Sequence, residues 1–115
     1  MLPYKRSKRV ADLLRQEISD IILRRLKDPR MGFVTVTDVS VTDDLKLARV
    51  YVSSLKEEER QQMIEILNAA KSFIRQELGR RVKMKSTPDL EFRIDTSLQY
   101  GNRIDQLLKD IKGEG

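Results

Sequence analysis

Apolar side chains recur at helical spacing over the first thirty residues. They are Val10, Leu13, Leu14, Ile18, Ile21, Ile22 and Leu26, and their intervals of three and four place them on one face of a helix. We predict a helix that begins at Arg6 or Ser7, with Ser7 as its N-cap, and ends at Lys27. Its end is set by Asp28 and Pro29, because the residue before a proline is pushed out of the α region.

The next apolar segment follows a strand pattern. Phe33–Val41 is rich in β-branched residues, which favour an extended backbone. Its valines change parity between Val36 and Val39, so a regular strand cannot bury all of them on one face. We therefore predict a β-bulge near Thr37 and Asp38.

Two further segments alternate apolar and polar residues. Lys46–Ser53 follows a turn at residues 42–44, and a third strand is expected around residues 89–95. The inward positions are Ala48, Val50 and Val52 in the second strand and Leu90, Phe92 and Ile94 in the third. Such alternation predicts strands with one buried face.

Between these two strands the apolar pattern is helical again. Ser54 followed by Glu57 predicts a capping box at the start of this region. The inward positions are Met63, Ile64, Leu67 and Ala70 before an interruption by small residues, and Phe73, Ile74 and Leu78 after it. We predict two helices that meet at a kink or tight turn at residues 69–72, and one continuous helix remains the alternative.

The predicted order is helix, strand, strand, helix, helix, strand, followed by an amphipathic helix over Ser97–Lys112. A sheet with one apolar face needs a helical layer on that face, which predicts an α+β fold. The 115 residues contain no internal repeat and no long linker. We therefore expect residues 1–115 to form one domain, with flexible ends at 1–5 and 112–115.

Cationic residues are concentrated in two parts of the chain. Residues 1–30 and 71–88 each have a net charge of +5, whereas residues 31–70 and 89–115 are mildly acidic. A concentrated basic patch attracts a polyanion through counterion release. Basic runs also occur as ordinary solvated helix faces, so charge alone leaves a nucleic-acid partner open.

Two basic clusters are the candidate binding residues. The first basic cluster is Lys5, Arg6, Lys8 and Arg9, at the start of the first helix, where positive charge opposes the helix dipole. The second basic cluster is Lys71, Arg75, Arg80, Arg81, Lys83 and Lys85, opposed only by Glu77. It flanks the junction Ala70-Lys71-Ser72, where backbone N–H groups and cationic side chains could meet phosphates.

The residue types that most enzymes and metal sites require are scarce. The chain has no His and no Cys, which removes the commonest general base and the usual zinc ligands and fits a reducing cytosol. It has no phosphate-cradling glycine motif, no secretory signal and no membrane-length apolar run. Asp38, Asp43, Asp44 and Asp95 form no convincing Mg²⁺ set. We expect a cytoplasmic, non-enzymatic protein without cofactor or metal.

The αββααβ order resembles a type II KH domain, in which two helices and their connection grip a nucleic-acid backbone. The usual G-x-x-G loop is replaced here by Ala70-Lys71-Ser72. A KH-like fold without that loop, in a chain this short, resembles the ribosome-binding factor A family. The matching positions are Arg6, Arg9, Val10, Asp28-Pro29-Arg30, Asp44-Leu45, Ala48, Val50–Ser53, Arg75, Leu78, Pro88, Leu90, Phe92, Asp95, Ser97, Gly101, Ile104, Leu107 and Leu108.

One position departs from the family pattern. The family's junction is usually Ala-x-Gly, and the third position here is Ser72. A glycine would allow the sharpest kink and the closest approach of RNA. Ser72 is still compatible with a kink, because serine can cap the second helix.

The resemblance implies a ribosome assembly factor. Such a protein would bind the immature small (30S) subunit through 16S rRNA, late in maturation and 5′-end processing, and would support growth in the cold. The resemblance adds Arg30 to the RNA-binding residues, and we expect a monomer that contacts no membrane.

Two other function classes are weighed against this one. The first is a generic KH-like single-stranded nucleic-acid module, and the second is a small nuclease that acts on precursor rRNA. For the assembly factor, charge reversal at Lys71, Arg75 and Arg81 together should weaken subunit binding and leave the fold intact.

Overall fold

The computed structural model describes residues 6–26, 28–32 and 34–97. Four sequence predictions lie outside or at the edge of these residues: the contribution of Lys5, the helix end at Lys27, the strand start at Phe33 and the flexible ends. Of the amphipathic helix predicted for Ser97–Lys112, only the first residue is described.

The elements follow the predicted order. They are α1 (Arg6–Arg24), β1 (Val34–Val41), β2 (Leu47–Ser54), a short 3-10 helix (Glu57–Glu59), α2 (Arg60–Ala69), α3 (Lys71–Arg81) and β3 (Asp89–Ile94). The α+β prediction is therefore confirmed, with a three-stranded sheet in the order β1-β2-β3. β1 and β2 are antiparallel, and β2 and β3 are parallel.

Helix α1 starts at Arg6, as predicted, but its N-terminal cap and its last residue differ from the sequence prediction. Arg24 is its last residue, three positions before Lys27, and the N–H groups of Arg25 and Leu26 both donate to the carbonyl oxygen of Ile21, at 2.8 and 3.0 Å. Ser7 lies inside the helix and is not its N-cap. Its hydroxyl donates instead to Asp43 Oδ1 at 3.2 Å, which joins the start of α1 to the β1–β2 turn.

The predicted bulge in β1 is confirmed. Val36 pairs with Val52 and Asp38 pairs with Tyr51, so Thr37 is the extra residue. A bulge flips the parity of the residues that follow it, and valines of both parities therefore face the core. The Thr37 hydroxyl also contacts the carboxylate of Asp95 just beyond β3, which ties the two outer strands together.

The core lies between one face of the sheet and the helices. Val50 of the central strand is fully buried and pairs with Val39 on one side and Phe92 on the other. α1 packs on β1 and α3, and α2 packs on β3. The helical contributions to the core are Ala11, Leu14, Ile18, Ile21, Ile22, Met63, Leu67, Ile74 and Leu78. The opposite face of the sheet is polar and carries the Arg49–Glu91–Arg93 ion pairs.

The capping box predicted at the start of the second helical region is wrong. Lys56 is the N-cap of the 3-10 helix, and no side chain caps it. The Ser54 hydroxyl accepts a long hydrogen bond of 3.4 Å from the N–H of Lys56 instead. The 3-10 helix itself consists of three acidic residues, Glu57, Glu58 and Glu59.

The segment from Val82 to Pro88 returns along the side of α3. Arg75 holds it, since its Nε donates to the carbonyl oxygen of Pro88 at 3.0 Å and its Nη2 to that of Thr87 at 2.9 Å. Gly79 lies one turn further along the same side, and a Cβ there would be 3.0 Å from Thr87 Oγ1. The missing side chain of Gly79 thus allows the segment to lie close to α3.

Truncation of Leu67 should test the α2 contribution to the core. Leu67 is fully buried, so Leu67→Ala should lower the free energy of unfolding by about 2–5 kcal/mol through lost burial and a cavity. Leu55→Ala is the matched control, because Leu55 is 87% exposed and the change should cost less than about 0.5 kcal/mol. Urea unfolding followed by circular dichroism measures both, and equal losses would contradict this core assignment.

Truncation of Arg75 should loosen the return segment. Arg75→Met keeps the aliphatic stem and removes both hydrogen bonds, so the free energy of unfolding should fall by about 1–2 kcal/mol. Arg80→Met is the control on the same helix. Arg80 is largely exposed and has only a 3.5 Å contact with Glu77, so its loss should cost less than about 0.5 kcal/mol. A smaller loss for Arg75→Met than for Arg80→Met would contradict the structural role of Arg75.

Candidate nucleic-acid interface

The predicted break between the two helices is present at Ala70. α2 ends at Ala69 and α3 begins at Lys71, and Ala70 between them has φ −91° and ψ 2°. The N–H of Ala70 donates to Ile66 O, and its carbonyl oxygen accepts from Ile74 N, so the helix is interrupted without leaving these groups unpaired. The sequence expectation that Ser72 caps α3 is wrong, because Ala70 is the N-cap and no side chain caps it.

The junction leaves its residues at least partly accessible to a partner. Ser72 is exposed in the first turn of α3, and Lys71 and Ala70 are half-buried. Lys71 has no ion-pair partner among the residues that the structure describes. The first turn of α3 therefore presents N–H groups and one unpaired ammonium group together, which is an arrangement that favours an anion.

Arg81 forms ion pairs within the protein that the sequence did not predict. Its Nη1 lies 2.6 Å from Asp20 Oδ2 and 3.4 Å from Glu17 Oε2, so it joins the end of α3 to the middle of α1. The hydrogen bond from Arg81 is the main cause that lowers the pKa of Asp20 below its usual value. The same contact raises the pKa of Arg81.

Glu77 forms a second link between the helices. It is a buried charged residue, and its Oε1 lies 3.7 Å from Arg25 Nη2 and 3.5 Å from Arg80 Nη1. Asp20 of α1 meets Arg81, and Arg25 just after α1 meets Glu77, which comes earlier in α3. The two helices are therefore antiparallel. Lys71 therefore lies toward the end of α1 that leads to Arg30, and Lys83 and Lys85 lie toward its start.

The second basic cluster thus divides into two groups. Arg75 and Arg81 are engaged within the protein, whereas Lys71, Lys83 and Lys85 have no ion pair within the described part of the chain. The sequence expectation that charge reversal at Lys71, Arg75 and Arg81 leaves the fold intact has to be corrected. Two of these three changes would place carboxylates against backbone carbonyls or against Asp20 and Glu17.

The described members of the first basic cluster lie at the surface. Arg6, Lys8 and Arg9 lie in the first turn of α1 and form no ion pair with any residue of the described ranges. Their charges oppose the positive end of the helix dipole. The cluster therefore costs some helix stability while its cations stay available to a partner.

Arg30 is accessible but already partnered. Its side chain forks onto Asp28, with Nε 3.0 Å from Oδ1 and Nη2 2.7 Å from Oδ2. The N–H of Arg30 also donates to Asp28 Oδ1 at 2.9 Å. These contacts lower the pKa of Asp28 to about 2, so its carboxylate stays charged and an anion would have to compete with it for Arg30.

A polar cleft joins parts of both clusters. It has a volume of about 630 Å³ and lies between the start of α1, the β1–β2 turn and residues 84–89. Three predicted residues line it: Arg6, Arg75 and Lys85. Lys46 lines it too, and sequence reasoning missed this residue because a lone lysine at the start of a strand carries no signal of its own.

The candidate interface consists of positive charges and hydrogen-bond donors. The described residues contain no group of three acidic, His or Cys side chains able to hold a metal ion. No helix among them is long and apolar enough to cross a membrane. A surface with unpaired lysines, arginines and helix-start N–H groups is suited to bind phosphates.

Removal of the Arg30 guanidinium should raise the pKa of Asp28. Arg30→Gln keeps the backbone N–H contact, so the pKa should rise from about 2 toward, but not fully to, 3.8. The folded-state pKa of Asp28 lies below the ordinary value, so the contact with Arg30 stabilises the folded protein above about pH 4. This stabilisation disappears as the pH falls toward 2 and the carboxylate becomes protonated. Carboxyl ¹³C shifts measured against pH report the change, with Asp44 as an internal control. A pKa of Asp28 that stays near 2 in the variant would contradict this assignment.

The chain is similar to known proteins over nearly its whole length. A sequence model of the ribosome-binding factor A family matches residues 6–108. Ribosome-binding factor A of Thermodesulfovibrio yellowstonii is 53% identical over 112 residues, covering 97% of this chain and 95% of that protein.

Solved structures agree with the sequence match. The crystal structure of ribosome-binding factor A from Thermus thermophilus superposes with a TM-score of 0.69 at 30% identity, covering 76% of this chain and 94% of that one. A homology model of the Thermus thermophilus factor, fitted into a cryo-EM map of its complex with the 30S subunit, gives a TM-score of 0.64 at 31% identity, covering 75% and 91%. The KH-like order, the kinked helix pair and these matches together place the chain in the ribosome-binding factor A family.

Proposed function

We propose that this protein binds the free or immature small ribosomal subunit through 16S rRNA and acts late in subunit maturation. The observation that carries the proposal is the Thermus thermophilus relative fitted into a 30S complex at 31% identity. In this proposal the protein is a cytoplasmic, monomeric, single-domain factor without cofactor or catalytic activity. It supports 5′-end processing of 16S rRNA and growth in the cold.

The charge distribution supports an RNA partner. Arg6, Lys8, Arg9, Lys71, Lys83 and Lys85 form no ion pair with the described residues, so binding phosphates breaks no such contact. Each phosphate that such a cation neutralises releases counterions, which gives affinity that falls as salt rises. The kinked junction adds the N–H groups of α3 to this surface.

Sedimentation tests the subunit partner. Purified protein mixed with isolated small subunits, large subunits and intact ribosomes should move with the small subunits in a sucrose gradient. Equal recovery with all three particles would refute the proposal. If the protein binds single-stranded RNA oligonucleotides as tightly as it binds small subunits, the generic KH-like module is the better description.

Neutralising two unpaired cations should weaken subunit binding without damage to the fold. Arg9→Gln combined with Lys71→Gln removes two phosphate contacts, so the slope of log affinity against log salt should fall by about 1.4–1.8. Lys56→Gln is the matched control, because Lys56 is exposed beside the acidic 3-10 helix. Its slope should equal that of the unchanged protein.

The double variant should unfold at the same urea concentration as the unchanged protein, which separates lost binding from lost structure. A salt slope identical to that of Lys56→Gln would contradict the proposed surface.

Incubation of the protein with precursor rRNA and Mg²⁺ tests the proposed absence of catalytic activity. Cleavage of the rRNA that depends on the protein would refute this part of the proposal.

A further inference from the structure

We propose that the polar cleft lined by Arg6, Lys46 and Lys85 binds a phosphate group of an RNA strand, with these three side chains as its direct ligands. The choice of RNA as the phosphate source rests on the function proposed above. Lys46 is new to the interface, since neither the charge clusters nor the family resemblance includes it.

The backbone of the β1–β2 turn holds Lys46 in place. Thr42 N donates to Leu47 O at 3.0 Å, and Leu45 N donates to Thr42 O at 2.8 Å. Leu45 has a positive φ of 60° and is half-buried against the core. On the other side, the carbonyl oxygen of Lys46 accepts from Asp89 N at 2.9 Å, so the turn is fixed to the start of β3.

The opposite wall of the cleft is held by Arg75. Its hydrogen bonds to Thr87 O and Pro88 O fix the segment that carries Lys85. Ser7 at the start of α1 is bonded to Asp43 of the turn, which brings Arg6 to the third side. Three elements distant in sequence therefore meet at defined positions, and Arg75 is a positioning residue for this site.

The charges of the cleft favour an anion. Two carboxylates line it, and both are engaged. Asp44 Oδ1 accepts from the Thr42 hydroxyl at 2.7 Å and from Lys46 N at 3.1 Å, and Asp89 Oδ1 lies 3.5 Å from Arg75 Nη1. Arg6, Lys46 and Lys85 have no ion-pair partner among the described residues. The four cations thus exceed the two carboxylates, and the excess positive charge lies on side chains that are free to turn toward a ligand.

The size of the cleft fits a segment of a strand better than an isolated ion. A volume of about 630 Å³ lies within the range of pockets that hold small organic ligands, about 300–1,000 Å³. Leu45 and Met84 add apolar surface to a lining that is otherwise polar. Such a site can take a phosphate together with part of the attached sugar.

The direct test uses Lys46→Gln combined with Lys85→Gln. Inorganic phosphate and adenosine monophosphate, titrated at millimolar concentration, should shift the amide NMR signals of Lys46, Lys85 and Thr87 in the unchanged protein. The double variant should lose these shifts. It should also bind a single-stranded RNA oligonucleotide and small subunits about tenfold more weakly, with a salt slope lower by about 1.4–1.8.

The control is Lys56→Gln combined with Lys71→Gln, which removes the same charge outside the cleft. It should keep the phosphate-induced shifts at the cleft. The proposal is overturned if the two double variants lose these shifts to the same extent. It is also overturned if small phosphates bind the cleft while the Lys46 and Lys85 changes leave RNA affinity untouched.

The experiments distinguish a wrong proposal for the cleft from a wrong proposal for the function of the protein. If the unchanged protein binds small subunits and the cleft variant binds them equally well, only the cleft proposal fails. If the unchanged protein does not bind small subunits, the subunit assignment fails. The phosphate and oligonucleotide titrations then still decide whether the cleft binds a strand.

Discussion

Burial of one apolar face of a three-stranded sheet is the constraint on which the rest of this structure depends. The central strand β2 has neighbours on both sides, and its Val50 has no exposed surface. Helices α1, α2 and α3 must cover this face, because alternating valines would otherwise remain in water. Their charged residues are therefore confined to the outer helix sides and to the ends of the elements, where the candidate binding surface lies.

Helix α3 shows how this constraint gives different roles to charged residues that look equivalent in the sequence. Ile74 and Leu78 face the core, and the adjacent side meets α1 through Glu77 and Arg81. Another side carries Arg75 against the returning segment. Only the remaining positions of α3 are free to bind a partner molecule. The arginines that contact carboxylates or carbonyl oxygens therefore stabilise the fold, whereas the unpaired lysines stay available for binding. A lysine would serve poorly at Arg75, because its ammonium group lacks the planar fork that reaches two carbonyls at once.

The sequence was most informative where the pattern is local. The parity change between Val36 and Val39 predicted the bulge, and the small residues near Ala70 predicted the helix break. It failed where a partner comes from a distant element. Arg81 meets Asp20 because α1 and α3 are antiparallel. Lys46 lines the cleft because the β1–β2 turn and the start of β3 together fix its backbone. The capping box at Ser54 failed for another reason, since the chain first forms a 3-10 turn that makes Lys56 the N-cap.

The antiparallel arrangement of α1 and α3 also bears on what kind of RNA fits the surface. Lys71 and Arg30 lie toward one end of the helix pair, whereas Arg6 and Lys85 lie at the other, beside the cleft. Eleven residues of α3 separate the two ends by about 16 Å. A single phosphate cannot contact both, so a ligand that uses all of these cations must be a polyanion that spans the helix. Because α1 and α3 are locked together by Arg81 and Glu77, the spacing of the two ends is fixed. A rigid pair of contacts favours RNA already folded to that spacing over a flexible strand that must be ordered on binding.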